Sequence, residues 1–285
     1  MPPTSESVPE LAPGLLALDF DGVICDGLPE YFHSAWVTHQ YLWPGGSGQG
    51  DRPPQPTDSL ERAFGRLRPV VETGWEMPLV IEALLQGIPE ADLLADWIPQ
   101  RDRLVQTLGL DPRSVGETLD GLRDEQIRTQ PQAWLALHRF YPGVVAQLQA
   151  WQNQGLPLAI ITTKEGRFVK ELLASAGLQW PDDRLWGKET QTPKAQVLEQ
   201  LSQDLHQGAT GAELWFIEDR LPTLQKVLQH HQTQPYPVAL GLFLADWGYN
   251  TPRDRSQVRP PLHLLSLEQF SQGFGAWGRA LSRKP

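Results

Sequence analysis

Apolar residues are laid out along this chain in two textures. From Tyr141 onward, short unbroken apolar runs alternate with stretches of helical spacing. Pro157–Ile161, Leu214–Ile217 and Val238–Leu244 are of strand length, and the first two end abruptly in Thr162-Thr163 and Glu218-Asp219. Continuous runs of this kind predict strands buried on both faces of a parallel sheet. Between them lie helical patterns: Gly143–Gln154 closed by Gly155, Glu165–Ala176 closed by Gly177, and Leu221–His231. Another helix is predicted to open at Thr192-Pro193-Lys194, with Thr192 as its cap and Pro193 at the first helical position. A final helix is expected from about Leu267 to Leu281. Strands alternating with helices mean an α/β fold with crossover helices.

The second texture fills the chain between Pro29 and Phe140, where apolar positions recur only at helical spacing. Helices are predicted over Pro29–Trp43, Leu60–Leu67, Pro78–Leu85 and Pro89–Leu108, and in a longer region through Leu119, Leu122, Ile127, Trp134 and Leu137. Breaks are expected at Gly74, Gly87, Pro99, Gly109 and Pro131. Ahead of this block stands one more apolar run, Leu15–Leu18. A single strand and helix cannot bury their own faces, so this run belongs to the later sheet and the helical block is an insertion. The expected division is a disordered lead-in at 1–14, an α/β core at 15–26 and 141–285, and a helical domain at 27–140 carrying a Gly/Pro-rich loop at 44–57. The glycines Gly45, Gly46, Gly48 and Gly50 in that loop follow no strand and open no helix, so they read as a flexible surface loop and not a phosphate cradle.

Composition narrows the partners. The 285 residues are 40% hydrophobic and 20% charged, as in an ordinary globular chain. A net charge of −10 argues against nucleic acid or an anionic membrane surface as the main partner and leaves small molecules or proteins. The one cysteine, Cys25, rules out an intrachain disulfide framework and reads as a small core residue. No apolar stretch approaches the roughly 18 residues that span a bilayer. Met1–Gly14 lacks a basic start and an apolar signal core. A cytoplasmic protein is expected, as a monomer or homodimer.

Chemistry enters at the strand ends. Leu15–Leu18 ends in Asp19-Phe20-Asp21-Gly22-Val23. Parallel strands deliver their carboxyl ends to one edge of the sheet, where open α/β folds bind ligands. Asp19, Asp21, Thr162, Thr163, Glu218 and Asp219 would therefore converge. Carboxylates from two strands make the hard oxygen site that Mg²⁺ takes, and a Thr hydroxyl with adjacent N–H groups suits phosphate oxygens. Lys194, in the first turn of its helix, opposes the macrodipole at a cost of about 0.3–1 kcal/mol, which a bound anion would offset. Arg68, Glu72, Trp75 and Glu76 flank Gly74 in a segment that either approaches the substrate or forms a solvated helix end. Trp247-Gly248-Tyr249-Asn250 either lines the same edge or packs as a loop, and the seven histidines show no metal-ligand spacing.

Taken in order, Asp19-Phe20-Asp21-Gly22-Val23, Thr162, Lys194 and Glu218-Asp219 resemble the haloacid dehalogenase superfamily, especially its phosphoglycolate phosphatase and β-phosphoglucomutase branch. The resemblance covers roughly Leu15–Asp26 and Tyr141–Leu244. The 25 residues from Lys194 to Asp219 match a separation usual in that family and favour Lys194 over Lys188. The resemblance implies a Rossmann-like three-layer α/β core with a mostly parallel sheet and an inserted all-α cap. It further implies that Asp19 is a nucleophile forming a phospho-aspartate, and that Asp21 is the general acid and base. Thr162 and Lys194 would hold the phosphoryl group, with Thr163, Gly22 and Arg68 on the substrate side. Mg²⁺ would be bound by Asp19, by Asp21 through its backbone carbonyl, and by Asp219, with Glu218 as a further acid. The implied activity is a Mg²⁺-dependent phosphatase of a small phosphorylated metabolite. A phosphomutase on the same core is the alternative, and a non-catalytic binding protein on this scaffold would be expected to lack Asp19 or Asp21. Two departures stand out: Thr223 where many relatives carry another acid, and Ala195 after the lysine where Pro is common.

Overall fold

The computed structural model describes residues 12–44, 55–208 and 212–281. Most of the expected lead-in and of the Gly/Pro-rich loop lies outside them. The chain divides into two compact units, Met1–Asp26 with Phe140–Pro285, and Gly27–Arg139.

The first unit is built on a six-stranded sheet. Its strands are β1 (Leu15–Leu18), β4 (Leu158–Ile161), β5 (Leu185–Trp186), β6 (Glu213–Glu218), β7 (Ala239–Ala245) and β8 (Leu262–Leu265), in the order β5-β4-β1-β6-β7-β8. The two-residue strands β2 (Cys25–Asp26) and β3 (Arg139–Phe140) stand where the chain leaves this unit and where it returns. All neighbouring strands of the large sheet run parallel. The fold is thus the α/β class expected from the alternation.

The central strand explains the sequence pattern. All four residues of β1 are buried, because β4 and β6 flank it and helices cover both faces. On one face Leu15 and Ala17 join Phe216, Val197, Leu198 and Leu201 of the Lys194–Gly208 helix, and Leu221, Leu224 and Val227 of the Leu221–Thr233 helix. An aromatic cluster also forms, in which Trp215, Phe243, Phe270, Phe274 and Trp277 pack in stacked, tilted and edge-on pairs, with ring centroids 5.0–5.8 Å apart. Each fully buried large side chain contributes roughly 1.5–3 kcal/mol.

Register positions the site. Leu18 pairs with Ile160 of β4 and with Ile217 of β6. The ladders run on past the named strands, with Asp19 N donating to Ile217 O at 2.9 Å and Thr162 N to Trp186 O at 2.9 Å. The polar residues that follow β1, β4 and β6 therefore arrive at one edge.

The second unit is helical, over Leu28–Leu42, Asp58–Leu67, Met77–Leu85, Glu90–Ala95, Trp97–Leu108, Pro112–Thr129 and Pro131–Leu135. Among the described residues its interior holds three acids, each matched by donors. Glu30 receives Arg123 at 2.7 Å and the Ser34 hydroxyl at 2.6 Å. Glu82 meets His39 at 2.8 Å and the Gln86 amide at 2.8 Å. Glu76 accepts the Trp97 indole N–H at 2.7 Å and the Thr73 hydroxyl at 2.9 Å.

Some local expectations are corrected. Pro99 breaks no helix: it sits in the first turn of Trp97–Leu108, where a missing N–H costs nothing, and the break falls at Asp96. The final helix is two, Leu267–Gln272 and Phe274–Leu281, parted at Gly273, whose φ is 82°. Thr192 does not cap the Lys194–Gly208 helix; its hydroxyl donates to the Thr190 carbonyl at 3.1 Å. Strands β5 and β8 had no sequence signal. No helix among the described residues is long and apolar enough to cross a membrane.

Candidate active site

Asp19 follows β1 directly and is buried. Its Oδ1 accepts the Phe20 N–H at 2.7 Å, and its Oδ2 lies 2.8 Å from Lys194 Nζ. The same ammonium reaches Glu218 Oε2 at 2.7 Å. Glu218 closes β6 with no exposed surface, and its other oxygen accepts the Arg220 N–H at 3.1 Å. Lys194 thus bridges the ends of two neighbouring strands. Its charge at a helix N-terminus is answered by two carboxylates.

Asp219, the next residue, is fixed from a loop. Its Oδ2 accepts the Tyr249 N–H at 2.7 Å, and the Asn250 carboxamide donates to its backbone carbonyl at 2.9 Å and to Ala245 O at 2.8 Å. The loop after β7 therefore does line this edge. It is held there by the Trp247 indole N–H on Val23 O at 3.1 Å and the Tyr249 hydroxyl on Asp26 at 2.8 Å. Two glycines make room. Gly22 adopts φ 81°, and a Cβ there would collide with the Asp219 carboxylate; a Cβ on Gly248 would meet Asp219 and the Gly22 carbonyl.

Asp19, Glu218 and Asp219 each offer an oxygen within 4.8 Å of the others. This buried, all-carboxylate cluster fits a hard divalent cation of the Mg²⁺ type. The Asp21 carboxylate stands apart from it, with Oδ1 3.4 Å from Lys164 Nζ. Thr162 is buried beside them; its hydroxyl oxygen accepts the Lys164 N–H at 3.2 Å, leaving its own O–H to donate. Thr163 is exposed. Arg68 belongs to the helical unit, where it lies 4.8 Å over the Tyr31 ring and donates to Val71 O at 3.2 Å. Glu76, from the same predicted segment, is an internal brace of that unit.

Titration reflects the crowding of charge. Burial, with the neighbouring Glu218 adding to it against the pull of Lys194, pushes Asp19 up to about 7. Glu218 is raised by burial too, although Lys194 pulls it down. Burial works against the charge of Lys194, yet the carboxylates of Asp19 and Glu218 outweigh it and hold the ammonium above its usual range. A site where carboxylates resist ionisation in spite of a bridging lysine is one short of positive charge.

Sequence reasoning missed Lys164. Its signal was positional: Thr162 and Lys164 stand one and three residues beyond β4, as Asp19 and Asp21 stand beyond β1.

A family model described as haloacid dehalogenase-like hydrolase matches residues 14–225. A search of the curated proteins finds no match. Among solved structures, a predicted phosphoglycolate phosphatase from Haemophilus somnus is 15% identical, covers 94% of this chain and 98% of its own, and superposes with a TM-score of 0.53. A predicted phosphatase from Clostridium acetobutylicum is 12% identical, with 92% and 98% covered and a TM-score of 0.53. The Mycobacterium tuberculosis Protein Tyrosine Kinase A is 14% identical, with 93% and 99% covered and a TM-score of 0.51. Names this different on one architecture limit the structural likeness to the fold.

Proposed function

Because the chain belongs to the haloacid dehalogenase-like hydrolase family, we propose that it is a Mg²⁺-dependent phosphatase of a small phosphorylated metabolite, working through a phospho-aspartate on Asp19. The observation that carries this reading is the bridge of Lys194 between Asp19 and Glu218, beside Asp219 and Thr162, at one edge of the sheet. Asp19, Glu218, Asp219 and the Asp21 backbone carbonyl would hold the cation, and bound Mg²⁺ would keep Asp19 ionised and neutralise charge on the phosphoryl oxygens.

The chain's own groups then divide the work. Asp19 attacks phosphorus while the ester P–O bond breaks, and Asp21 gives its proton to the leaving oxygen. Asp21 next takes a proton from water, the hydroxide attacks phosphorus, and the bond to Asp19 breaks to release inorganic phosphate. Thr162 donates its O–H to a phosphoryl oxygen. Lys194, already 2.8 Å from the attacking carboxylate, meets the negative charge carried onto it. Phosphoryl transfer asks mainly for positioning and charge stabilisation, which these groups supply. In this reading Gly27–Arg139 is the inserted cap, and Thr163 contributes to substrate choice.

The test is a panel of phosphate monoesters incubated with purified protein and Mg²⁺. Phosphate release that disappears in Asp19→Asn supports the reading. Equal background release by both proteins across the panel removes it, and interconversion of phosphate isomers without release replaces it with a mutase.

A further inference from the structure

Each aspartate of the Asp19-Phe20-Asp21 motif has its own lysine. Lys194 holds Asp19, and Lys164 holds Asp21 at 3.4 Å. The Lys164 side chain is only 8% exposed, so this ammonium is packed against the site and not reaching out into water. Its backbone takes part as well. Lys164 N–H donates to the Thr162 hydroxyl at 3.2 Å, and Lys164 O accepts the Lys188 N–H at 2.9 Å, which anchors the turn after β4 to the segment after β5. One residue thus ties together the Asp21 carboxylate and the Thr162 hydroxyl.

The consequence is where Asp21 is not. Asp19, Glu218 and Asp219 share a cluster of oxygens within 4.8 Å, while the carboxylate only two residues from Asp19 stays outside it. A fourth carboxylate swung into that cluster would be a further ligand for a cation and would no longer face a substrate.

We infer that Lys164 is a positioning residue for this reaction: its ammonium holds the Asp21 carboxylate away from the Asp19–Glu218–Asp219 cluster, in the place from which Asp21 serves the leaving oxygen. The inference rests on the phosphatase reading for its kinetic consequence, but the placement of Asp21 is a structural claim that stands apart from it. Lys164 does not take or give a proton. Its contribution is a fixed charge at a fixed point, for which Met matches length without charge and Arg keeps the charge.

Two measurements decide it. The first is a double-mutant cycle of Lys164→Met and Asp21→Asn on the best phosphate monoester, with thermal melts showing that each variant is folded. Lys164→Met should lower kcat roughly 10²-fold and leave KM within about 3-fold, Lys164→Arg should recover most of the loss, and the Lys164→Met effect should vanish once Asp21 is Asn. The same loss in both backgrounds means that Lys164 acts through the fold alone and overturns the inference. The second is the crystal structure of Lys164→Met, or of Lys164→Gln should the former not fold. The Asp21 carboxylate should leave its place and approach the acid cluster; an unmoved carboxylate overturns the inference even if the wild type releases no phosphate. Absence of turnover in the wild type, by contrast, falls on the phosphatase reading and leaves the crystallographic result to judge Lys164.

Discussion

Buried acids occur in both units, and the two units treat them differently. In Gly27–Arg139 each described buried acid is met by close donors: Glu30 has Arg123 and a serine hydroxyl, Glu82 has His39 and an amide, Glu76 has an indole and a threonine. At the edge of the large sheet Asp19, Asp21, Glu218 and Asp219 meet two lysines, Lys164 and Lys194. The helical unit gives each of these buried acids close hydrogen-bond donors, whereas the sheet edge leaves its charge balance open, with four carboxylates to two lysines. A buried acid with a full set of donors is architecture, since burial without partners is costly. A buried cluster with surplus negative charge holds a place for a cation or for a proton in transit.

The contrast can be broken at either end. The largest effect is expected at Asp19: Asp19→Asn should cost about 10⁴-fold in turnover, roughly 5.5 kcal/mol of barrier, while leaving the melting temperature no lower than that of the metal-free wild type. A variant that both melts early and loses activity would place Asp19 with the structural acids. Next comes Glu30→Ala, which removes the 2.7 Å partner of a largely buried Arg123 and should lower unfolding free energy by roughly 3 kcal/mol in urea titrations. Loss of turnover without loss of stability would contradict its assignment to architecture. Third, Mg²⁺ at about 100 times its Kd should stabilise the protein by about 2.7 kcal/mol, read as a rise in melting temperature reversed by chelation. An identical melt with and without the ion would mean that the open balance is not met by a divalent cation. The smallest effect is Glu218→Gln. It removes one surplus charge while keeping an acceptor for Lys194 and Arg220, so the metal-free protein should gain about 1 kcal/mol as Mg²⁺ stabilises it less. Destabilisation instead would show that Glu218 is already balanced.

Much of this was legible in the chain because burial and chemistry were written in the same places. β1 reads as a strand through its unbroken apolar run, and the acids that follow it mark the edge at which the sheet ends. Convergence of Thr162 and Glu218-Asp219 follows from parallel register alone. Lys164 escaped notice because one lysine in a polar turn carries no pattern; only its offset from β4 sets it apart. β5 is two residues long, too short for any periodicity, and β8 follows two prolines. The Tyr249 N–H on Asp219 is a backbone contact, which no side-chain pattern announces. Pro99 misled because its effect depends on its place in a helix: harmless in the first turn, it would have broken the middle.

The strand order has a consequence for how the protein comes into being. β1 is the middle of the sheet but the first strand to leave the ribosome, and its partner β6 lies roughly 200 residues downstream. At about 5–20 residues per second, β1 waits on the order of 10–40 s for that neighbour. During this interval the helical unit, whose buried acids find their partners among its own residues, can fold, while the apolar run Leu15–Leu18 has no finished sheet to enter. Asp19 is made early, yet it acquires its surroundings only when Glu218 and Asp219 have emerged, so the nascent chain carries the first of these acids long before the cluster can form.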